Sequence, residues 1–332
     1  MAEIVLGIGT SHSPLLAIPP ALWSERGKDD TKRTQIFLAD GRVVTYAALA
    51  AEVDDRYAPR ATFDVFQAQW TQANAALDRL AVDLLNAAPD VIIIIGDDQQ
   101  ELFSLAHVPA MAVYTGADVV MHPKNEVSPD LPAWYRQANE GYMMDSVHRH
   151  PAAPELATLL VEALIADGVD LSVASEVADA HKAGFGHAYG FVIDRLLARR
   201  PVPVLPLMLN TYFPPNVPTP RRCYEVGRKI AAAVRAMPAD VRVCILASGG
   251  LTHFATDEAF DRCVLDALFE RDVERLCSLP VAGLRSGNSE ILNWVMSAGA
   301  LGALRMAEPE YIPVHRTSAG TGIGLAFATW WP

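Results

Sequence analysis

The central segment of this chain reads Asp90-Val91-Ile92-Ile93-Ile94-Ile95-Gly96-Asp97-Asp98-Gln99-Gln100-Glu101. Its five consecutive β-branched residues, 91–95, suit a strand that is buried on both faces, as in a parallel sheet covered by helices. Carboxylates and amides follow directly after Gly96. A polar surface turn has the same composition, but ligand crevices of open α/β sheets form at this end of a strand. The segment therefore predicts a central strand with a candidate site beside it.

Strand and helix patterns alternate along the rest of the chain. Apolar runs at 3–9, 170–175, 202–209 and 241–247 read as strands, and periodic patterns at 62–87, 155–167, 187–199 and 219–237 read as helices. Asp40-Gly41 indicates a β-hairpin, and a last strand around Tyr311 precedes a glycine-rich tail. Thr219 is the predicted N-cap of the helix at 219–237, with Pro220 in its first turn. The pattern predicts one α/β domain over 1–332, with a mostly parallel central sheet flanked by helices.

One long segment, 116–154, interrupts this alternation. It is rich in proline and carries several aromatic residues, including Trp134 and Tyr142. Long loops in compact domains are usually functional or disordered, and aromatic residues favour a loop that packs over something. We therefore predict an irregular, lid-like loop at about 116–154.

Charge and composition restrict the possible partners. The chain has 332 residues and a formal net charge of −12. Nucleic acids and anionic membranes require a basic face, so neither is expected as a partner. The four cysteines lack CxxC spacing, and no apolar run is of membrane-spanning length. The sequence predicts a cytoplasmic protein with reduced thiols, and a homo-oligomer is the commonest assembly.

Polar side chains recur where predicted strands end, at His12, Asp98-Gln99, His187 and His253. A single loop histidine is more often a solvated or hydrogen-bonding residue, and Glu290 at a helix start is favoured by the helix dipole alone. Their shared position at strand ends is stronger evidence for a site than any one of these residues, because the carboxyl ends of parallel strands converge on one crevice. These residues are therefore the candidate site.

Four short motifs stand in order along the chain: Thr10-Ser11-His12-Ser13-Pro14, the strand end Asp98-Gln99, Ser248-Gly249-Gly250-Leu251-Thr252-His253 and Ser289-Glu290-Ile291-Leu292-Asn293-Trp294. His187 before an apolar helix and the segment Tyr212-Phe213-Pro214-Pro215 add to them. Together these motifs resemble the type II (class III, LigB-like) extradiol ring-cleavage dioxygenases of the protocatechuate 4,5-dioxygenase beta-subunit type. The resemblance spans nearly the full chain and implies a LigB-like fold.

The resemblance also implies a non-haem Fe(II) held by two histidines and a glutamate, with positions open for a catecholate and O₂. His12 lies where the family has its first histidine ligand, and Glu290 lies where it has the carboxylate. His253 corresponds to the acid/base histidine, and His187 to the histidine that contacts the oxygens of the substrate. Imidazole suits proton transfer near neutral pH.

Gln99 departs from the family pattern, which has a histidine directly after the aspartate of this strand. An amide oxygen is a neutral and weaker ligand for Fe(II) than imidazole. Three alternatives follow: Gln99 completes the metal site, Asp98 or another histidine replaces it, or the iron site is changed or lost. The other histidines considered are His148, His150 and His181.

Two functional hypotheses follow from these residues. The first is an Fe(II)-dependent extradiol dioxygenase that inserts O₂ into a catechol-type ring, with a small protocatechuate- or gallate-like substrate. The second is a divergent LigB-fold protein with another metal or none, acting as a hydrolase, a lyase or a small-molecule binder. Gly7-Ile8-Gly9 is only a partial dinucleotide-binding motif, so a dehydrogenase is a distant third.

Overall fold

The predicted central strand lies in the middle of a ten-stranded sheet in the computed structural model, which describes residues 2–237 and 240–332. Two pairs of short strands lie outside this sheet. In chain order the strands are β1 (Glu3–Thr10), β2 (Ile36–Phe37), β3 (Val43–Val44), β4 (Val91–Asp97), β5 (Met111–Tyr114), β6 (Asp118–Val120), β7 (Arg149–Pro151), β8 (Ser172–Ala174), β9 (Val204–Leu209), β10 (Arg242–Ser248), β11 (His253–Ala255), β12 (Arg305–Met306), β13 (Glu310–His315) and β14 (Thr321–Trp331).

Helices connect these strands and cover the sheet. In chain order they are α1 (Pro14–Ala17), α2 (Trp23–Asp30), α3 (Tyr46–Val53), α4 (Phe63–Ala87), α5 (Lys124–Val127), α6 (Ala133–Glu140), α7 (Pro154–Ala166), α8 (His187–Phe191), α9 (Pro220–Ala236), α10 (Glu258–Phe269), α11 (Val273–Cys277) and α12 (Ile291–Ala300). Short 3-10 turns occupy Pro20–Leu22, Ala58–Arg60 and Ser286–Glu290. A π-helical turn at Val192–Leu196 continues α8, so the predicted helix there is less regular than its sequence indicates.

The centre of the sheet is parallel. Strands β1, β10, β4 and β9 lie side by side in parallel, and β14 and β5 flank them in antiparallel pairs. The register pairs Thr10 with Ser248 and Asp97 with Leu209, so the carboxyl ends of these strands meet at one edge. The predicted α/β fold, with a mostly parallel sheet between helices, is confirmed.

Strand β4 is buried along its whole length. Ile93 and Ile95 pack into the apolar core that includes α9 and α12, whereas Ile92 and Ile94 pack into the core that includes α4 and α8. Full burial of an isoleucine contributes about 1.5–3 kcal/mol. The unbroken β-branched run is therefore explained by the two cores, since neither face of the strand meets water.

Two local predictions are also confirmed. Strands β2 and β3 pair in antiparallel fashion across Asp40-Gly41, where Gly41 has a φ of 89°. Thr219 caps α9 because its side chain accepts a hydrogen bond from the amide of Arg222, and Pro220 lies in the first turn. Both predictions rest on local backbone chemistry that tertiary packing does not override.

The C-terminal segment differs from its prediction, because it is a long strand and not a glycine-rich tail. Strand β14 has 11 residues and pairs with β1, β11, β12 and β13. A Cβ atom on Gly322 would lie 1.7 Å from the carbonyl oxygen of Val314, and one on Gly324 would lie 2.0 Å from Asp261. Close packing, not turn formation, requires these glycines.

The segment 116–154 is more regular than its prolines indicate. It contains β6 and β7, which pair with each other, and the short helices α5 and α6. Trp134 and Tyr142 within it are buried, and the Tyr142 hydroxyl donates a hydrogen bond to the carbonyl oxygen of His12 at 2.8 Å. The segment is therefore fixed against the polar edge of the sheet.

Within residues 2–237 and 240–332, no helix is both long and apolar enough to cross a membrane. Helix α4 has 25 residues, but it carries Asp64, Asp78, Arg79 and Asp83. The cysteines at 223, 244, 263 and 277 are all free thiols, as the sequence predicts.

Candidate metal centre

His12 lies just beyond β1 and is only 2% exposed. The Ser248 hydroxyl donates to the carbonyl oxygen of Ala188 at 2.6 Å, so it accepts from Nδ1 of His12 at 2.9 Å. The proton of the imidazole is thereby placed on Nδ1, and the lone pair is on Nε2. A hydrogen bond of this kind orients histidine ligands in metal sites. Nε2 has no hydrogen-bond partner among the described residues.

Two buried carboxylates face this nitrogen. Oε2 of Glu290 lies 3.3 Å from Nε2 of His12, and Oδ1 of Asp97 lies 3.9 Å from it. Glu290 accepts hydrogen bonds from the amide of Gly250 at 2.8 Å and from the hydroxyl of Tyr212 at 3.1 Å. Oδ1 of Asp97 has no hydrogen-bond partner in the described part of the chain.

The electrostatics of these groups fit a cation. Burial and the negative charge of Glu290 raise the pKa of Asp97. Burial acts in the same direction on Glu290, but the positive charge that His253 and His12 carry when protonated outweighs burial and lowers the pKa of this group well below its ordinary value. A divalent ion between the two carboxylates would relieve their repulsion and satisfy both unpartnered atoms. The residues present therefore fit a metal.

His187, at the start of α8, lies beside this group. Its Nδ1 lies 3.0 Å from Oε1 of Glu101, and its Nε2 lies 3.9 Å from Oδ2 of Asp97. Potential ligand atoms of His12, Asp97, His187 and Glu290 all lie within 4.8 Å of one another. Burial lowers the pKa of His187, but Glu101, Asp97 and Glu290 outweigh burial and raise it to about 9.

Gln99 and Asp98 take different places from the ones the sequence suggests. The Gln99 amide nitrogen donates to Oδ2 of Asp97 at 3.0 Å and lies 3.2 Å from Nε2 of His187. Asp98 turns away from the cluster, because its oxygens accept the backbone N–H groups of Leu102 at 2.7 Å and of Gln100 and Phe103. Of the two adjacent aspartates, Asp97 is therefore the one that faces His12.

The other histidines considered as replacements lie outside the cluster. His181 is exposed and pairs with Glu126, His148 contacts Asp145 at 2.9 Å, and His150 contacts the carbonyl oxygen of Val202 at 2.8 Å. Each therefore has a local partner that explains its position.

His253 also lies beside Oε2 of Glu290. Its Nδ1 donates to the carbonyl oxygen of Leu251 at 2.8 Å, so its lone pair is on Nε2, 3.4 Å from Oε2 of Glu290. Burial lowers the pKa of His253, and this favours the neutral ring. A Cβ atom on Gly287 would lie 2.1 Å from His253, so only glycine permits this approach.

These residues surround one cavity of about 240 Å³. An apolar cavity of about 150 Å³ can hold benzene, so the space suits one substituted aromatic ring. The cavity brings together five of the predicted site residues: His12, Gln99, His187, His253 and Glu290. Its other walls come from α2, from the segment 116–154 and from the region before β14.

Three neighbouring residues were not predicted from the sequence: Asp97, Glu101 and Tyr212. Asp97 is the last residue of β4 and is paired with Leu209, so the sheet fixes its direction, whereas Asp98 begins a turn. No pattern in the sequence distinguishes the two aspartates, because the end of the strand is set by its pairing with β9. Glu101 and Tyr212 act through contacts between distant segments, which no local pattern contains.

Comparison with known proteins identifies a family for this chain. The family model described as the catalytic LigB subunit of aromatic ring-opening dioxygenase matches residues 64–327. A gallate dioxygenase from Pseudomonas putida is 30% identical over 125 residues. That alignment covers 34% of this chain and 36% of the relative, so the chain spans only about a third of the length of this relative.

A parallel sheet with a histidine–carboxylate cluster at its carboxyl edge defines a candidate metalloenzyme, and the match over most of the chain identifies its class. The chain belongs to the LigB family of extradiol, aromatic ring-opening dioxygenases. Dioxygenases of this family are typically metal-dependent, and the cluster around His12 is the candidate site for that metal.

Proposed function

We propose that this protein is an Fe(II)-dependent extradiol dioxygenase that inserts O₂ into the ring of a small catechol-type substrate. In this proposal His12, Asp97 and Glu290 hold the metal, His253 is the acid/base residue and His187 contacts an oxygen of the substrate. Asp97 is the third ligand in this proposal, instead of Gln99, which the sequence analysis names for that position. The family match and the partial likeness to a gallate dioxygenase support a catechol-type substrate of the protocatechuate or gallate kind.

One observation carries the proposal. Nε2 of His12 and Oδ1 of Asp97 are buried, 3.9 Å apart and without hydrogen-bond partners among the described residues. Leaving two buried polar atoms unpaired costs stability, so such atoms usually have a functional reason. A metal ion held by His12 and Asp97 would satisfy both atoms. Fe(II) bound there would supply the redox chemistry that ring opening of a catecholate by O₂ requires.

The residues around the metal position have separate tasks in this proposal. Nε2 of His253 accepts the proton of a catechol hydroxyl, because Nδ1 is already committed to the carbonyl of Leu251. Glu101 orients His187 through Nδ1 and leaves its Nε2 facing the cavity. Gln99 supports Asp97 by donating to Oδ2, which leaves Oδ1 free for the metal.

We further propose that 1–332 is a single catalytic domain in which the segment 116–154 shields the cavity from water. Trp134, Tyr135, Tyr142 and Met144 from this segment line the cavity. Lys124 of the same segment lies 3.6 Å from Oε1 of Glu101, so an ion pair connects the segment to the residue that orients His187. Exclusion of water strengthens electrostatic interactions at a reacting centre.

A second candidate function rests on the donor set. With Asp97 in the place of a histidine, the site has one imidazole and two carboxylates, which suit Mn(II) or Mg(II) better than the usual pair of histidines does. A divergent member with such a metal would act as a hydrolase, a lyase or a small-molecule binder. This alternative keeps the fold and the cavity and changes the reaction.

The test is to load the purified protein separately with Fe(II), Mn(II) and Mg(II) in the absence of O₂ and to measure bound metal. Oxygen uptake and ring-opened product are then followed with catechol, protocatechuate and gallate. We expect one Fe(II) per chain and uptake that matches product formation. Tight binding of Mn(II) or Mg(II), with no oxygen uptake in any loaded form, would favour the second function.

A further inference from the structure

A second cluster of charged residues lines the same cavity, and the proposed metal chemistry does not use it. Arg26 and Arg33 of the N-terminal region and Arg316, which follows β13, surround the carboxylate of Asp30. Arg26 donates to Oδ1 of Asp30 at 3.0 Å, Arg33 to the same oxygen at 3.2 Å, and Arg316 to Oδ2 at 2.8 Å. The hydroxyl of Thr321 also donates to Oδ2 at 3.0 Å. We call these three arginines with Asp30 the arginine cluster.

The arginine cluster carries more positive charge than its carboxylate can balance. Asp30 is fully buried, and Arg26 and Arg316 are 9% and 7% exposed. Nη2 of Arg316 is buried and has no hydrogen-bond partner in the described ranges 2–237 and 240–332. Burial of unbalanced charge is costly, and here it occurs in a chain with a net charge of −12. An oxyanion beside Arg316 would supply both a counter-charge and a hydrogen-bond acceptor.

The acidic residues that line the cavity have other partners. Glu101 is engaged with His187, with the amide of Gln99 and with Lys124. Glu290 accepts from the amide of Gly250 and from Tyr212. Neither of these two lining carboxylates is therefore available to the arginine cluster, and an anionic ligand would supply the missing acceptor.

The arginine cluster is connected to the proposed reacting centre through one aromatic residue. The guanidinium of Arg33 stacks on the ring of Phe254, with Cζ 3.6 Å from the ring centroid. Phe254 directly follows His253, and both line the cavity together with all three arginines. A single ring in this space can therefore present hydroxyl groups to His253 and a substituent to Arg316.

We propose that Arg316, assisted by Arg26, forms a subsite for a carboxylate substituent on the aromatic substrate. The planar fork of a guanidinium matches a carboxylate, and a cavity of about 240 Å³ leaves room for a compact substituent besides one ring. This inference rests on the proposed function and adds to it: Arg316 selects acidic catechols over neutral ones. Arg33 holds Phe254 in place and is a positioning residue.

The first experiment uses the unmodified chain. Protein loaded with Fe(II) is titrated calorimetrically without O₂ against protocatechuate, its methyl ester and catechol. A charged hydrogen bond to the carboxylate should make protocatechuate bind roughly 10- to 150-fold more tightly than the ester. Equal affinities would overturn the proposal. Inorganic phosphate is titrated as well, and binding of phosphate as tight as that of protocatechuate would also overturn it, because the site would then recognise free anions.

The second experiment assigns the effect to Arg316. In Arg316→Gln the affinity ratio of protocatechuate to catechol should fall towards unity, and Arg316→Lys should restore part of it. Arg221→Gln, which removes an exposed arginine paired with Glu274, is the matched control and should keep the parental ratio. An unchanged ratio in a folded Arg316→Gln protein would overturn the assignment.

These titrations need no ring cleavage, so the two proposals can fail separately. Charge-selective binding without oxygen uptake would contradict the dioxygenase function alone. Oxygen uptake with equal affinity for protocatechuate and its ester would contradict the carboxylate subsite alone.

Discussion

The cavity has two charged walls of opposite character. Among the described residues, the groups around His12 without hydrogen-bond partners are acceptors, namely Nε2 of His12 and Oδ1 of Asp97. In the arginine cluster the group without a partner in the same described part of the chain is a donor, Nη2 of Arg316. Both walls are largely buried, and His12, Glu290 and the three arginines line the same space. One wall is thus complementary to a cation and the other to an anion.

This difference indicates how a single ring would be oriented. A catechol with an acidic substituent is negatively charged at one end, and its hydroxyl groups become more acidic near a divalent cation. The metal-facing wall attracts the hydroxyl end and the arginine cluster attracts the substituent. The two walls of opposite charge would therefore fix one orientation of the ring. Each wall can be tested by a substitution that leaves the other wall intact.

The largest effect is expected from loss of a proposed metal ligand. His12→Ala and Asp97→Asn should each lower Fe(II) affinity by more than about 100-fold, since even outer residues of metal sites contribute 10- to 100-fold. Oxygen uptake should disappear with the metal. Bound iron, measured after gel filtration, gives the result.

Asp98→Asn is the matched control for Asp97→Asn, because the two aspartates are adjacent and only Asp97 faces His12. It should retain parental iron affinity, although loss of its turn-capping contacts lowers stability. If Asp98→Asn loses iron and Asp97→Asn keeps it, the assignment of the metal-facing carboxylate is wrong.

His253 lies beside Glu290 and directly precedes Phe254, on which Arg33 stacks. Its removal should affect turnover but not the binding of metal. His253→Phe should keep its iron and lose on the order of 10²- to 10⁴-fold in turnover, as expected for a general acid–base residue. Steady-state oxygen uptake and metal content are measured on the same sample. A variant with near-parental turnover would remove His253 from the proposed mechanism.

Asp30→Asn tests the arginine cluster through stability. Removing one partner of a buried ionic cluster costs about 3–5 kcal/mol, because the remaining guanidinium groups stay buried and unbalanced. Urea unfolding of the variant and the parent measures the difference. Glu25→Gln on the same helix removes only an exposed pair with Lys28 and should leave the free energy of unfolding nearly unchanged.

The contribution of Asp30 should also depend on pH. Burial raises the pKa of this carboxyl, but Arg316, Arg26 and Arg33 outweigh burial and hold the pKa below its ordinary value of 3.8. A depressed pKa means that the stabilisation is present above pH 3.8 and is lost as the pH falls through the lower folded-state value. The difference between the parent and Asp30→Asn should therefore shrink in acid. A constant difference would contradict this account.

The sequence predicts the fold and the edge that carries the site better than it predicts the ligands. The run 91–95 has the β-branched composition that suits a strand buried on both faces, and His12 follows the end of another strand. The choice between Asp97 and Asp98 depends on where the ladder stops, and that is set by pairing with β9. The end of a strand can shift by a residue or two without any change in the hydrophobic pattern, so the sequence alone could not decide between Asp97 and Asp98.

The arginine cluster could not be predicted, for a different reason. Arg26 and Arg33 are separated from Arg316 by most of the chain, and no spacing connects them. The net charge of −12 also conceals a local excess of cations, because it sums over the whole surface. Strand β14 was missed for a related reason: glycines that allow close pairing look like those of a loop.

The smallest effect is expected at Gln99, which holds Asp97 and does not bind metal in our proposal. Gln99→Leu should weaken Fe(II) binding by about 10- to 100-fold, as for an outer residue of a metal site. Gln99→His tests the alternative that position 99 is a lost ligand position. Its imidazole would stand close to Nε2 of His187, which lies 3.2 Å from the present amide, so we expect crowding and lower turnover. Iron affinity and turnover are measured side by side, and a Gln99→His protein with higher values of both would make position 99 a direct ligand position.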